Sequence, residues 1–389
     1  MVEMINYSST VSRLFFGSVA LILYTFVGYP ALVAALARLR PKPLRTSPAF
    51  EPEVSLIIAA YDEEDVIAAR LENVRDLDYP HDRLEVIVVA DGSSDRTAEL
   101  ARGFAGVTVL DGAERRGKLA AVNRGVARAG GDVLVLSDAN NRYTRETIRE
   151  LVSPFADPSV GVVTGRKAID DGDGRPLDRA ENLYWRYESK IKEWQTAVGS
   201  VTGVAGEILA FRREAYASPR PGTMNEDFVQ ALQAALDGWR VVYAPGAVSL
   251  ERASATIGDE AIRRSRLVTG RWQALRELLP QAVRRDPGLA WQVVSHKGLR
   301  PLVPFAMLLA ALSNVRLART RPWARLSLAL QVAFYAAALA GRATERRGRR
   351  NRILYLPYYF CRMNVATLDG VRNFAARRHE AVWAKVRRG

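Results

Sequence analysis

Uninterrupted apolar runs punctuate this chain at two scales. The long one, Leu14 to Ala37 (LFFGSVALILYTFVGYPALVAALA), holds 24 residues without a charge. At 1.5 Å per residue it reaches about 36 Å, enough to cross a hydrocarbon core of ~30 Å. The short ones, Val54–Ala60 (VSLIIAA), Leu84–Ala90 (LEVIVVA), Val107–Leu110 and Val133–Ser137 (VLVLS), predict buried strands. Between them Val66–Leu77, Thr97–Phe104 and Leu119–Ala129 carry helical spacing. Strands of this kind alternating with helices predict an α/β unit whose mostly parallel sheet is covered on both faces. Its reactive groups then belong in the loops after the strand C-termini. Further along, the pattern predicts an aromatic-rich helix over Leu177–Ala197, a Gly-rich turn (Gly199, Gly203, Gly206), a strand over Ile208–Phe211, a helix from near Asn225 and a strand over Val241–Tyr243.

The charges flanking the apolar runs set a topology. Arg38, Arg40, Lys42 and Arg45 follow the first run rather than precede it. That order favours an uncleaved anchor over a signal peptide, with the N-terminus outside and the rest cytosolic. Pro30 sits late in this run and is expected to distort it. Pro41–Pro52 (PKPLRTSPAFEP) reads as an extended linker. Beyond Glu260 the chain turns arginine-rich and amphipathic, and two further apolar runs follow, Pro301–Val315 and Leu326–Gly341. They are short for spanning helices, but flanking arginines can snorkel and extend them. The stretch Arg342–Arg352 holds six arginines, and Ile353–Val371 mixes apolar and charged positions, which leaves spanning, re-entrant and interfacial readings open. The expected organisation is an anchor over 1–40, a cytosolic α/β unit over 53–250, interfacial helices over 251–298, and membrane or interfacial helices over 299–389.

Composition narrows the partners. With 56 Lys and Arg against 42 Asp and Glu, the net charge is +14, while 48% of residues are hydrophobic, which excludes a disordered chain. One cysteine (Cys361) and three scattered histidines (His81, His296, His379) argue against a disulfide framework and a multi-His metal site. The basic residues cluster beside apolar runs, not along a hydrophilic face with interleaved aromatics. They suit membrane lipids rather than nucleic acid.

The candidate chemistry stands at the predicted strand ends. The first strand runs into Tyr61-Asp62-Glu63-Glu64, the second into Asp91-Gly92-Ser93-Ser94-Asp95, and the fourth into Ser137-Asp138-Ala139-Asn140. Asp62, Ser94 and Asp95 also suit helix caps. Three acidic strand ends on one sheet edge, however, repel one another unless a cation or a donor-rich ligand sits among them. A divalent ion with a nucleotide diphosphate meets that need, and Asp138 with Asn140 can share one Mg²⁺ or Mn²⁺. Arg116-Gly117-Lys118 at a helix start suits phosphate oxygens. Neither GxxxxGK[ST] nor GxGxxG after the first strand is present, which counts against a P-loop nucleotidase and a dinucleotide oxidoreductase. Asn225-Glu226-Asp227 opens a helix, either as a cap or as a general base that takes a proton from an acceptor hydroxyl. Arg263 and Arg266, with Arg264 between them, are placed to meet a departing diphosphate or lipid headgroups.

In this order the motifs resemble glycosyltransferase family 2, the inverting sugar-nucleotide enzymes of GT-A fold. More narrowly they resemble its membrane-bound branch of cellulose, chitin, hyaluronan and poly-N-acetylglucosamine synthases. The resemblance covers about Val54 to Trp272. It implies a GT-A-like nucleotide-sugar domain flanked by N- and C-terminal transmembrane and interfacial helices. Ala60-Tyr61-Asp62-Glu63 and Asp91-Gly92-Ser93-Ser94-Asp95 match the family's first two motifs, and the resemblance assigns Glu63 and Asp91 to uridine, with Ala60 and Tyr61 beside them. Lys118 and Asn123 match its G-K…N segment. Asp138-Ala139-Asn140 matches the D-x-D metal motif with Asn140 in place of the last acid. Asp227, beside Glu226, matches the catalytic base. Where processive synthases carry Q-x-x-R-W, this chain has Arg263 and Leu267 at the Gln and Trp positions, so an aromatic floor for the acceptor sugar is missing there, although Trp272 is near.

The implied reaction moves a sugar from a UDP-sugar to a hydroxyl of a growing polysaccharide or a lipid-linked glycan at the cytosolic face of a multi-pass membrane protein, with a divalent metal as cofactor. Addition of a single sugar to a lipid, and an inactive membrane scaffold, are the rival readings. Three or four membrane segments are few for a closed conduit, which leaves a place for a homo-oligomer or a secretion partner. Tyr184, Trp185 and Trp194 have helical spacing, which favours core packing over stacking on sugars.

Overall fold

The computed structural model describes residues 2–170, 175–349 and 351–377. Among them, eight strands form one sheet: β1 (Val54–Ala60), β2 (Leu84–Asp91), β3 (Val107–Gly112), β4 (Val133–Asp138), β5 (Arg142–Tyr143), β6 (Val160–Asp170), β7 (Leu209–Arg212) and β8 (Arg240–Arg252). The helices that follow or interleave them are α1 (Val2–Leu23), α2 (Tyr29–Leu39), α3 (Glu64–Arg75), α4 (Thr97–Arg102), α5 (Lys118–Arg128), α6 (Thr147–Val152), α7 (Pro176–Val198), α8 (Glu226–Leu236), α9 (Ile257–Arg285), α10 (Pro287–Val293), α11 (Val303–Leu317), α12 (Pro322–Arg346) and α13 (Arg352–Ala375).

The strand order is β3-β2-β1-β4-β7-β6-β8-β5. The first four run parallel; β7 is antiparallel to both β4 and β6, and β6 is parallel to β8. Side chains of successive residues point to opposite faces, so each apolar strand feeds two cores. Leu56, Ile58, Val88 and Val135 pack with Ile67 and Leu71 of α3 and Ile148 of α6. Ile57, Ile87, Val89 and Leu134 pack with Ala121 and Val122 of α5 on the other side. This double cover is why β1, β2 and β4 are legible as unbroken apolar runs.

Three strands depart from the sequence reading, the first being the unexpected two-residue β5, which pairs with β8. β6 was not expected, because Gly161, Gly165, Arg166 and Lys167 interrupt its apolar pattern. β8 is much longer than Val241–Tyr243, since pairing with β6 continues from Arg166↔Val248 to Asp170↔Arg252, past Pro245 and Gly246. The segment Pro41–Pro52 is extended as expected, but it is fastened along its length. Lys42 N–H donates to the Ala197 carbonyl (2.7 Å), and Ser47 N–H donates to that of Ser153 (3.2 Å). The Arg240 guanidinium donates to the carbonyls of Pro43 and Lys42 (2.7 and 2.9 Å).

Among the described residues, three helical stretches are long and apolar enough to cross a membrane: Ser9–Leu39, Pro287–Leu317 and Pro322–Arg346. In the first, α1 and α2 form one rod with a π-turn over Tyr24–Gly28. Pro30, which follows it, has no N–H to offer the Phe26 carbonyl four residues back. That carbonyl accepts instead from the Tyr187 hydroxyl of α7 (2.8 Å). The second half of this rod is a packing surface: Tyr29 and Val33 are fully buried with Ile191, against Tyr187 and Trp194 of α7. A second π-turn, Val294–Gly298, lies opposite the first, and Tyr24 and Ser295 share a hydrogen bond (2.8 Å).

Ile353–Val371, left open by its mixed composition, belongs to the helix α13. Tyr355, Tyr359, Met363 and Ala366 of α13 pack on Leu177 and Ala180 of α7 and on Ile257 and Ala261 of α9. The end of the expected 299–389 unit, residues 378–389 with His379, lies outside the described residues.

Candidate active site

The loops after β1, β2 and β4 open on one edge, as the parallel sheet requires. The first two are stitched together by their own acids. Asp62, at φ 50°, accepts from Ser94 N–H (2.8 Å), while Asp95 accepts from Glu64 N–H (3.0 Å). Asp62, Ser94 and Asp95 therefore serve as backbone caps. Asp91, buried at the end of β2, accepts from Gly117 N–H (2.6 Å) and Arg116 N–H (3.1 Å). It thereby aims the start of α5 into the cleft.

Lys118 is the first residue of α5, and its ammonium lies 2.5 Å from Asp138 Oδ1 at the end of β4. Burial alone would lower this lysine, but Asp138 and then Glu226 outweigh burial and hold it above the usual lysine range. Two residues beyond Asp138, Asn140 has a buried Oδ1 with no hydrogen-bond partner. A buried amide oxygen left in this state is costly unless a cation or donor completes it. Asn123 anchors the far wall: it donates to Ser218 Oγ (2.8 Å) and accepts from the Tyr216 hydroxyl (2.7 Å).

The opposite wall is the start of α8. Its cap, Asn225, adopts the left-handed conformation (φ 60°), which Asn tolerates better than most residues. The turn is held from α9, where Gln273 Oε1 accepts from Met224 N–H (3.1 Å), and where a side chain at Gly270 would lie 2.8 Å from Asn225 Cβ. Asp227 follows on the first turn. Burial and the neighbouring Glu226 push its carboxyl up from the ordinary value to about 7, against the opposing pull of Lys118. A carboxylate with this affinity is suited to accept a proton near neutral pH.

These groups face one cavity of about 1470 Å³. Of the residues singled out in the sequence, Ala60, Tyr61, Glu63, Asp91, Lys118, Asn123, Asp138, Asn140, Glu226, Asp227, Arg263 and Arg266 line it. Tyr61 lies under the Arg115 guanidinium, 3.8 Å from its ring centroid. The three arginines of α9 singled out in the sequence part company. Arg266 reaches the cavity. Arg263 is bound to Glu260 (2.7 Å) and Glu181 (3.4 Å), which makes it a structural ion pair at the cavity rim. Arg264 is not among the lining residues; its guanidinium stacks 4.9 Å from the Tyr184 ring on another side of α9. Leu267 lines the cavity, whereas Trp272 stacks on Phe374 of α13 (6.0 Å). The aromatic side chain near the missing Trp position is thus occupied in packing.

Two clusters have no local signal in the sequence. Lys167 of β6 is buried between Glu207 and Glu251, with Glu207 Oε1 at 3.2 Å, and all three line the cavity. They come from β6, the loop before β7, and β8, so only the sheet brings them together. Glu188 of α7 is buried where Arg300 (2.6 Å), Lys297 (2.9 Å) and His296 (3.3 Å) converge. Burial alone would raise this carboxyl, but Arg300 and then Lys297 outweigh it and hold it well below the usual carboxylate range.

Comparison with known proteins agrees with this geometry. Residues 55–218 match the Glycosyl transferase family 2 model. The chain is 29% identical over 230 residues to a poly-beta-1,6-N-acetyl-D-glucosamine synthase of Staphylococcus aureus (strain MSSA476), covering 57% of this chain and 55% of the relative. It is 28% identical over 246 residues to the probable glycosyltransferase YdaM of Bacillus subtilis (strain 168), covering 59% and 58%. The chain thus spans somewhat more than half the length of these curated relatives. Among solved structures it resembles the mannosyltransferase PcManGT from Pyrobaculum calidifontis, in complex with GDP-Man and Mn²⁺, with a TM-score of 0.71 and 26% identity over 94% of this chain and 100% of the other. A mostly parallel sheet with its acids on one edge, a family match over that same stretch and a neighbour of near-equal extent agree: residues 55–218 are similar to glycosyl transferase family 2 domains and lie on a GT-A-like fold.

Proposed function

We propose that this chain is an inverting glycosyltransferase. It moves a sugar from a nucleotide diphosphate, a UDP-sugar on the resemblance of its motifs, to a hydroxyl of a growing polysaccharide or lipid-linked glycan at the cytosolic face of a membrane. The single observation that carries this reading is Asp227: a half-buried carboxyl of raised proton affinity in the same cavity as Asp91, Lys118 and Asp138. Asp227 takes the proton of the acceptor hydroxyl as its oxygen attacks the anomeric carbon. The bond to the diphosphate breaks on the opposite side, its electron pair leaves with the nucleotide, and the anomeric configuration inverts. Lys118 and Arg266 are the cations on hand for the charge of the departing diphosphate. Glu63, Asp91 and Tyr61 border the part of the cavity assigned to the base.

The solved neighbour was obtained with Mn²⁺. Here Asp138 and the unpartnered Oδ1 of Asn140 fit a divalent ion, Mg²⁺ or Mn²⁺, which when bound neutralises diphosphate charge. The domain reading proposed is an anchor over 1–40, the catalytic unit over 53–250, interfacial helices over 251–298 and membrane helices beyond, with more than one crossing. Leu267 in place of an aromatic side chain favours short products, down to a single transferred sugar.

The test is nucleotide release by full-length protein in detergent, screened over UDP- and GDP-sugars with and without Mn²⁺, with Asp227→Asn as control. Release with one donor, lost in the control, is the expected outcome. No release with any donor turns the reading toward an inactive scaffold. Product sizing separates a ladder from a single species.

A further inference from the structure

The wall of the cavity beside Asp227 is the loop that joins α7 to β7, and its other end is gripped by the apolar helices. Thr202 Oγ1 and His296 Nδ1 share a hydrogen bond of 2.8 Å. Gln195 of α7 locks the same point: its Nε2 donates to Thr202 Oγ1 (2.9 Å) and to the hydroxyl of Tyr29 in α2 (2.5 Å), and its Oε1 accepts from Thr202 N–H (3.2 Å). Tyr29 in turn stacks on the His296 ring, with centroids 5.7 Å apart. At the next residue the backbone of Gly203 is pressed so close that a Cβ would lie 2.6 Å from Lys297 Nζ. Lys297 is buried and paired with Glu188, so yielding there strains that pair.

From Thr202 to the base is a short, fastened path. Ala205 N–H donates to Thr164 Oγ1 (3.0 Å). A Cβ on Gly206 would stand 3.0 Å from Asp227 Oδ2, so this backbone is the surface against which the carboxylate rests. The Glu207 carbonyl then accepts from Asn141 Nδ2 (2.7 Å) and the Tyr143 hydroxyl (2.9 Å), tying the loop to the β4 edge. Close-packed interiors transmit small displacements rather than absorbing them.

Building on the transfer reaction proposed above, we infer that Thr202 and Gly203 are positioning residues. Through them the π-turn of the second apolar stretch, with Tyr29 of the first, fixes loop 201–207 and so the seat of the base Asp227. Neither residue touches the diphosphate side of the cavity, so the effect falls on transfer and not on donor binding. A base displaced by a fraction of an ångström loses alignment with the acceptor proton, and misplacements near 1 Å cost about 100-fold.

The experiment uses the full-length chain in lipid nanodiscs. Thr202→Val keeps the shape and deletes the hydroxyl; Thr202→Ser keeps the hydroxyl; Gly203→Ala presses on Lys297. The expected result is a kcat lowered about 10-fold or more in Thr202→Val and Gly203→Ala. Donor KM and nucleotide Kd stay within about twofold, and Thr202→Ser returns to near wild-type kcat. Amide exchange is expected to quicken at 201–207 and at 224–229, a readout that does not depend on turnover. A kcat per folded molecule within about twofold of wild type in Thr202→Val and Gly203→Ala overturns the inference. So does unchanged exchange at 224–229. A wild-type chain without transfer activity strikes the proposed reaction itself, and the exchange data then decide the coupling separately.

Discussion

Lys118 Nζ and Asp138 Oδ1 are joined at 2.5 Å across the cavity floor, with Glu226 and Asp227 completing the lysine's acidic surroundings. The lysine thus holds together acids that would otherwise repel one another, and it stands where a diphosphate would find a cation. Lys118→Met removes both functions. Donor KM is expected to rise about 10-fold or more with a smaller loss in kcat, checked by steady-state kinetics over donor concentration.

Asp227→Asn keeps the shape of the base and removes its proton affinity. Transfer is expected to fall by about 10²–10⁴, with nucleotide binding retained by calorimetry. Binding lost together with turnover would assign Asp227 to the donor instead.

The pH dependence follows from the same residue. As the proposed base Asp227 must act deprotonated, and its carboxyl is pushed up to about 7 by burial and Glu226. Activity is therefore expected to decline as pH drops through about 7, where the base becomes protonated. Glu226, Lys118 and Glu207 are the charged groups that influence it. Glu226→Gln removes a like charge, so the acid limb of the kcat profile is expected to move to lower pH. A limb that stays in place would detach it from this pair.

Asn140→Asp adds a formal charge beside Asp138, at an oxygen that is buried and unpartnered. The Mn²⁺ concentration for half-maximal activity is expected to fall about 10-fold, by titration after chelation. No change would remove Asn140 from the ion's surroundings.

Glu188 is the counter-ion of Lys297 and Arg300 in a buried site. Glu188→Gln leaves two cations facing a neutral amide, and breaking such an arrangement costs about 3–5 kcal/mol. A clear drop in the melting temperature in detergent, larger than that of Glu188→Asp, is the expected measurement.

The parts of this architecture that could be read from the sequence are those where one local pattern answers to one environment. β1, β2 and β4 are covered on both faces, so their apolar runs are continuous, and the acids at their ends can be placed before any coordinates are known. β6 was hidden because its burial is partly ionic: Lys167 looks like a surface residue until β8 and the loop before β7 supply Glu251 and Glu207. Arg70 is hidden in the same way. It lies in α3, is almost fully buried, and donates to Ser137 Oγ (3.0 Å) behind the strand end. Helical spacing puts Arg263 and Arg266 on one face, and both line the cavity, but it does not tell that Arg263 is paired with Glu260 and Glu181 or that Arg264 turns to Tyr184. The Glu188 cluster joins residues more than one hundred positions apart, a relationship that no window along the chain contains.

The first apolar rod does not end where the catalytic unit begins. Its last turns, with Tyr29 and Val33, are built into the wall of α7, and the strap that follows is pinned at Lys42. A leash would let the cleft bob and tilt above the lipid; this union has no slack. With this rod as the membrane anchor proposed above, the depth at which it settles is inherited by the cleft, and a thicker or thinner bilayer is expected to raise or lower the cleft with it.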